Sequence, residues 1–126
     1  MILDVRRGLG PPAAFHYTLP ALVTSDDVVR RDPDMAAAAV RAVVKAQRAL
    51  KDDVGLATKV GQALFPPPEA ALIAHVVARD LPYYDPAISE AAVAGLNRFA
   101  LASGLLRRAL PYGRVVAMEF RHLWIS

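Results

Sequence analysis

Apolar and polar positions alternate in two different rhythms along this chain, and the change falls near Ser25. Residues 2–6 form a short extended run that the turn formers Gly8-Leu9-Gly10-Pro11-Pro12 halt. A second run, residues 15–24, is rich in aromatic and β-branched side chains, which suit a pleated strand, although Pro20 cannot donate to a sheet ladder and belongs at an edge or an end. Two strands are therefore expected at the front. From Ser25 onward the rhythm becomes helical.

Asp32-Pro33-Asp34 predicts a helix start: a carboxylate for the free N–H groups, proline at the first helical position, and a second acid at the positive end of the dipole. In the long helix that follows, Val40, Val43, Val44 and Leu50 share one face, and Arg41, Lys45 and Arg48 another. A second helix is expected over residues 54–64, with Leu56, Val60 and Leu64 in register, stopped by Phe65-Pro66-Pro67-Pro68. Glu69 opens a third, striped by Leu72, Ile73, Val76 and Val77 and ending near Asp80. Ser89 caps a fourth, with Val93, Leu96, Phe99 and Ala100 facing inward and Gly104-Leu105 as its stop. The tail from Tyr112 to Trp124 is expected to form a short helix with Tyr112, Val115, Val116, Phe120 and Leu123 nearly on one side.

Composition narrows this picture. With 126 residues, 55% of them hydrophobic and 21% charged, the chain has the material for one folded domain and lacks the polar bias of a disordered segment. Its net charge of +3 is spread over scattered arginines and lysines with no long basic tract, so nucleic acid is not the expected partner. The absence of cysteine removes disulfides and thiolate metal sites. Residues 1–4 show neither a basic stretch nor an apolar one, so no export signal is expected, and no window is apolar enough for a membrane span.

Four helices after only two strands make an unusual self-contained design, because two strands form a marginal sheet. The residues carry a resemblance that accounts for it. "LDVRRGLGPPAAFHYTLPALVTSDDVVRRDPDMAAAAVRAVVKAQRAL" and "LFPPPEAALIAHVVARDLPYYDPAISEAAVAGLNRFALASGLL" resemble the C-terminal part of bacterial ABC-transporter substrate-binding proteins of the sulfonate, nitrate and thiamine-precursor group. The resemblance runs from Ile2 to about Trp124, and its most specific segments are "ALVTSDDVVRRDP", the long helix after it, and "LPYYDPAIS".

It implies an α/β fold: the helix-rich C-terminal portion of a two-lobed periplasmic-binding-protein-like architecture, with two N-terminal strands, about four helices and a short helical tail. Residues 1–15 would end the second lobe and cross back, and residues 16–126 would complete the first. It further implies a periplasmic location, a small organic or anionic solute as ligand, and an ABC permease as partner of the full-length protein. Such proteins are more than twice as long, so the chain is expected to be a portion of one. Alone, it is expected to hide its unpaired strand edge and apolar helix faces by self-association.

Site candidates follow from that placement. His16 and Tyr17 stand at the implied crossing between lobes, where hinged proteins hold ligands, and the alternative is that Tyr17 packs while His16 is solvated. Arg6 just upstream offers a guanidinium fork for a sulfonate or carboxylate; with Asp4 and Arg7 it is otherwise a solvated strand-end charge. The adjacent tyrosines of "DLPYYDPAIS" suit either a ligand clamp or a stiff joint between helices, and the flanking Pro82 and Pro86 favour the joint.

His75 and His122 lack a second ligand at useful spacing, so no metal or cofactor is expected, and no serine sits in a nucleophile-elbow setting, so no enzyme is expected. The rival to solute binding is a basic helical module in which Arg30, Arg31, Arg41, Lys45 and Arg48 meet a nucleic acid or a protein.

Overall fold

Helix breaks in this chain fall where local chemistry dictates them. The structure, a computed structural model, describes residues 7–10, 15 and 21–125. Helix α1, Asp26–Arg31, starts at Ser25, whose hydroxyl accepts the Val28 N–H, and carries Asp26 and Asp27 in its first turn and Arg30 and Arg31 in its last, complementing the helix dipole. It ends at Asp32 because Pro33 drives the residue before it out of helical geometry. Asp32 then caps the next helix: its carboxylate accepts the Met35 N–H at 2.9 Å and opens α2, Pro33–Asp52, which is about 30 Å long.

Asp53 leaves helical geometry, accepts the Gly55 N–H at 2.9 Å and starts α3, Gly55–Leu64. Phe65 and Pro66 are extended, and α4, Pro67–Asp80, begins with Pro67 and Pro68 in its first turn, where a missing N–H costs nothing. The chain continues through a 3-10 turn, Leu81–Tyr83, to α5, Glu90–Ala102, capped by the Ser89 hydroxyl on the Ala92 N–H. Gly104, at a φ of 74°, takes the left-handed geometry that ends α5. A short α6, Tyr112–Val115, and a C-terminal 3-10 helix, Met118–Leu123, finish the fold. The tail is thus two pieces, because Val116 between them is extended.

The expected α/β architecture is corrected. Among the described residues there is no strand. Residues 2–6, the first expected strand, lie outside the described residues; in the second, Phe15 sits in a turn and residues 21–24 are exposed without regular structure. Residues 16–20 lie outside the described residues; strand propensity is realised only against a neighbouring ladder, and among the described residues no strand stands beside residues 21–24 to provide one. The described chain is all-helical.

Packing also departs from the expected faces. One buried cluster, Ala36, Phe120 and Leu123, brings the C-terminal 3-10 helix back onto the first half of α2, with Val29, Ala37, Val40 and Ala117 around it. The second is the α3–α4 hairpin, whose buried residues are Ala57, Gly61 and Ala70. The third is in α5, where Ala92, Val93 and Gly95 are buried. Val44 is buried as expected, but the Leu56, Val60 and Leu64 register is not the buried one: Val60 and Leu64 remain 55% and 69% exposed. Small residues occupy the helix contacts because they let backbones approach, and the large ones are displaced to the flanks.

A methyl group added to Gly61 would stand 3.5 Å from the Ala70 Cα, an ordinary contact. Gly61→Ala is therefore expected to stabilise the fold by about 0.5–1 kcal/mol through reduced backbone freedom in the unfolded chain. Gly61→Leu is expected to cost about 1–3 kcal/mol by overpacking, and urea unfolding of the two variants measures both signs.

Candidate functional site

The polar group that most shapes a concave surface in this structure is Asn97, on the inner side of α5. Its amide Nδ2 donates to the Leu110 carbonyl at 2.8 Å, and its Oδ1 accepts the Leu110 N–H at 3.0 Å. This two-bond clasp fixes the loop of residues 103–111 against α5. One step further on, the Tyr112 hydroxyl donates to the Ile88 carbonyl, tying α6 to the segment ahead of α5. Between helix and loop lies an apolar hollow of about 150 Å³ lined by Val93, Leu96, Asn97, Ala100, Leu106, Leu110 and Val115. Both ends of the Asn97 amide are occupied by the loop, so the hollow presents hydrocarbon. It offers no nucleophile, acid or base, and its chemistry is limited to holding an apolar group.

The segment from Asp80 to Ser89 behaves as a joint. Arg79 forms a fork with the Asp80 carboxylate, Tyr84 N–H closes the 3-10 turn on the Leu81 carbonyl, and Asp85 accepts the Ala87 N–H at 2.9 Å. Each polar contact is local, and each serves to turn the chain from α4 into α5. Tyr83 is exposed and Tyr84 half-buried, and the two rings do not close over the hollow, whose lining includes neither.

Arg6, His16 and Tyr17 lie outside the described residues, as does Asp4; Arg7 is described and exposed. His75 and His122 are exposed on different elements, and among the described residues no three His, Cys, Asp or Glu side chains converge as a metal site would need. No described helix is long and apolar enough to cross a membrane. Asn97 was not marked by its sequence surroundings, because its partner is 13 residues away and a backbone group carries no residue signature. Gln47 is similar: its Oε1 is buried without a hydrogen-bond partner, a cost invisible in a helical heptad of otherwise ordinary residues.

The basic face of α2 is real but short. Arg41, Lys45 and Arg48 are all exposed, and none forms an ion pair with another described residue. They span about 10 Å of helix, and Asp34 and Asp52 fall on the same stripe at its two ends. Three phosphate contacts would give a logarithmic salt slope of about −2.7.

No family model, no curated protein and no solved structure matches the chain.

Two outcomes are expected. Asn97→Ala should cost about 1–2 kcal/mol in urea unfolding, and Asn97→Asp, which sets a carboxylate oxygen against the Leu110 carbonyl, should cost at least as much near neutral pH. Duplex DNA should not be retained by the chain in a mobility-shift assay at moderate salt, and retention that Arg41→Ala and Arg48→Ala abolish would restore the basic-module reading.

Proposed function

We propose that the chain belongs to the solute-binding component of an ABC importer, and that its ligand is a small organic or anionic solute such as a sulfonate, nitrate or a thiamine-precursor pyrimidine. The observation that carries this reading is the order of helices and breaks from Ser25 to Ala102. A capped short helix, the Asp32-Pro33 restart, a 20-residue helix and a proline-framed joint before a Ser89-capped helix fall on the segments that carry the resemblance.

Within this reading the helices are scaffold and the ligand contacts lie ahead of them. The guanidinium of Arg6 would pair with an anionic headgroup, where a planar fork matches two oxygens of a sulfonate or nitrate. Tyr17 would lay its ring along the apolar part of the solute, and His16 would supply a hydrogen bond. Nothing in such capture breaks a covalent bond. Delivery would then depend on a permease partner and on a periplasmic location of the protein.

Thermal unfolding of the complete product of the gene, in the presence of aliphatic sulfonates, nitrate and aminopyrimidines in turn, tests the proposal. One class is expected to raise the midpoint, since a ligand at a hundred times its Kd adds about 2.7 kcal/mol to the folded state. Arg6→Ala should remove most of that shift for an anionic ligand, and Tyr17→Ala should reduce it for any. No rise with any of the three classes overturns the assignment.

A further inference from the structure

Cleavage by a protease requires a side chain that fills the enzyme's specificity pocket and a backbone that can lie extended in its cleft, which favours exposed loops over helices. Pockets that carry a carboxylate select arginine and lysine. Between residues 21 and 125 every lysine and arginine but two lies within a helix. The exceptions are neighbours, Arg107 and Arg108, in the loop of residues 103–111.

Both arginines are exposed, as are Ala109 after them and Leu105 before them, the latter at 73%. Among the described residues no hydrogen bond engages the backbone of Arg107, Arg108 or Ala109. The chain is pinned on either side of them: Leu106 N–H donates to the Ala100 carbonyl at 3.0 Å, and Leu110 is held at both its backbone groups by Asn97. The other basic side chains are poorer targets. Arg31, Lys51 and Arg79 are each followed by an aspartate, which an acidic pocket repels, and Arg114 and Arg121 lie within two residues of the buried Val116 and Leu123.

We propose that Arg107-Arg108 is a cleavage site for arginine-directed endoproteases and that the Asn97 clasp controls access to it. Water adds across the peptide bond after Arg107 or Arg108, leaving a carboxylate on that arginine and an amine on the residue that follows. Extending the loop in a protease cleft draws Leu110 away from Asn97, so cleavage proceeds from the opened clasp and its rate follows the population of that state. The product is a nicked protein and not a shortened one. Beyond the cut, the Tyr112 hydroxyl still donates to the Ile88 carbonyl, and Phe120 and Leu123 still pack against Ala36 of α2. The proposal does not depend on the solute-binding reading.

Limited digestion of the whole chain by trypsin under native conditions, with fragments identified by mass, is the test. Between residues 21 and 125 the first cut is expected after Arg107 or Arg108, and the two fragments should elute together in buffer and separate in urea. Asn97→Ala should speed this cut about 5- to 30-fold, with a smaller effect on cutting after Lys59 in α3, since the clasp acts on the loop and not on the hairpin. Arg107→Gln combined with Arg108→Gln should abolish the loop cut and leave only slower cuts inside helices. A first cut within a helix, a rate at the loop that Asn97→Ala leaves unchanged or raises no more than that at Lys59, or fragments that part in buffer overturns the proposal.

Discussion

The closeness of Gly61 to Ala70 is what pairs α3 with α4, and the α3–α4 contact is the most extensive between the described elements of this fold. Two helices whose contact residues have at most one methyl group can bring their backbones together, and the large side chains on either side are then pushed outward. In α5 Ala92 and Gly95 are likewise buried while Phe99 stays exposed, whereas Ala36 of α2 is covered by the large side chains Phe120 and Leu123. Tight seams secure helix pairing but bury little apolar area per residue, since burial scales with the surface removed from water. A fold built this way gains its cohesion from pairs of helices and leaves apolar surface on its flanks.

Where burial contributes little, hydrogen bonds at the ends of elements take on more of the organisation. Ser25, Asp32, Asp53, Asp85 and Ser89 each accept a backbone N–H from the following turn, and together they set every change of direction between α1 and α5 except the proline turn at residues 65–66. Over longer range, Asn97 both donates to and accepts from Leu110, fixing the 103–111 loop to α5, and the Tyr112 hydroxyl donates to the Ile88 carbonyl, tying α6 to the segment ahead of α5. The apolar hollow exists because Asn97 holds that loop as a bridge over the helix. In the proposed solute receptor, these contacts would make the helical part a rigid support for ligand contacts made elsewhere.

What the sequence revealed, and what it withheld, follows from the range of the forces involved. Caps and breaks act over a few residues, so Asp32-Pro33-Asp34, the prolines after Phe65, Ser89 and Gly104 could be read directly and are found in those roles. The joint at Asp80 to Ser89 was legible for the same reason. The buried side of each helix was less so: hydrophobic period selected Leu56, Val60 and Leu64, whereas backbone approach selected Ala57 and Gly61, a choice that only the neighbouring helix can make. The strand expectation depended on the longest range of all: residues 21–24 are exposed without regular structure, because a strand exists only when another pairs with it. Of the candidate site, Arg6, His16 and Tyr17 lie outside the described residues, while the Asn97 clasp left no trace in local spacing.

Only Phe65 and Pro66 separate α3 from α4. Closing so short a connection sacrifices little chain entropy, and Pro66 restricts the backbone before any contact forms. The hairpin is accordingly expected to form ahead of the distant return of Phe120 and Leu123 onto α2, which must gather more than eighty residues of intervening chain. Its outer Val60 and Leu64 then face water from the first step and, at 55% and 69% exposure, still do so once the chain is complete.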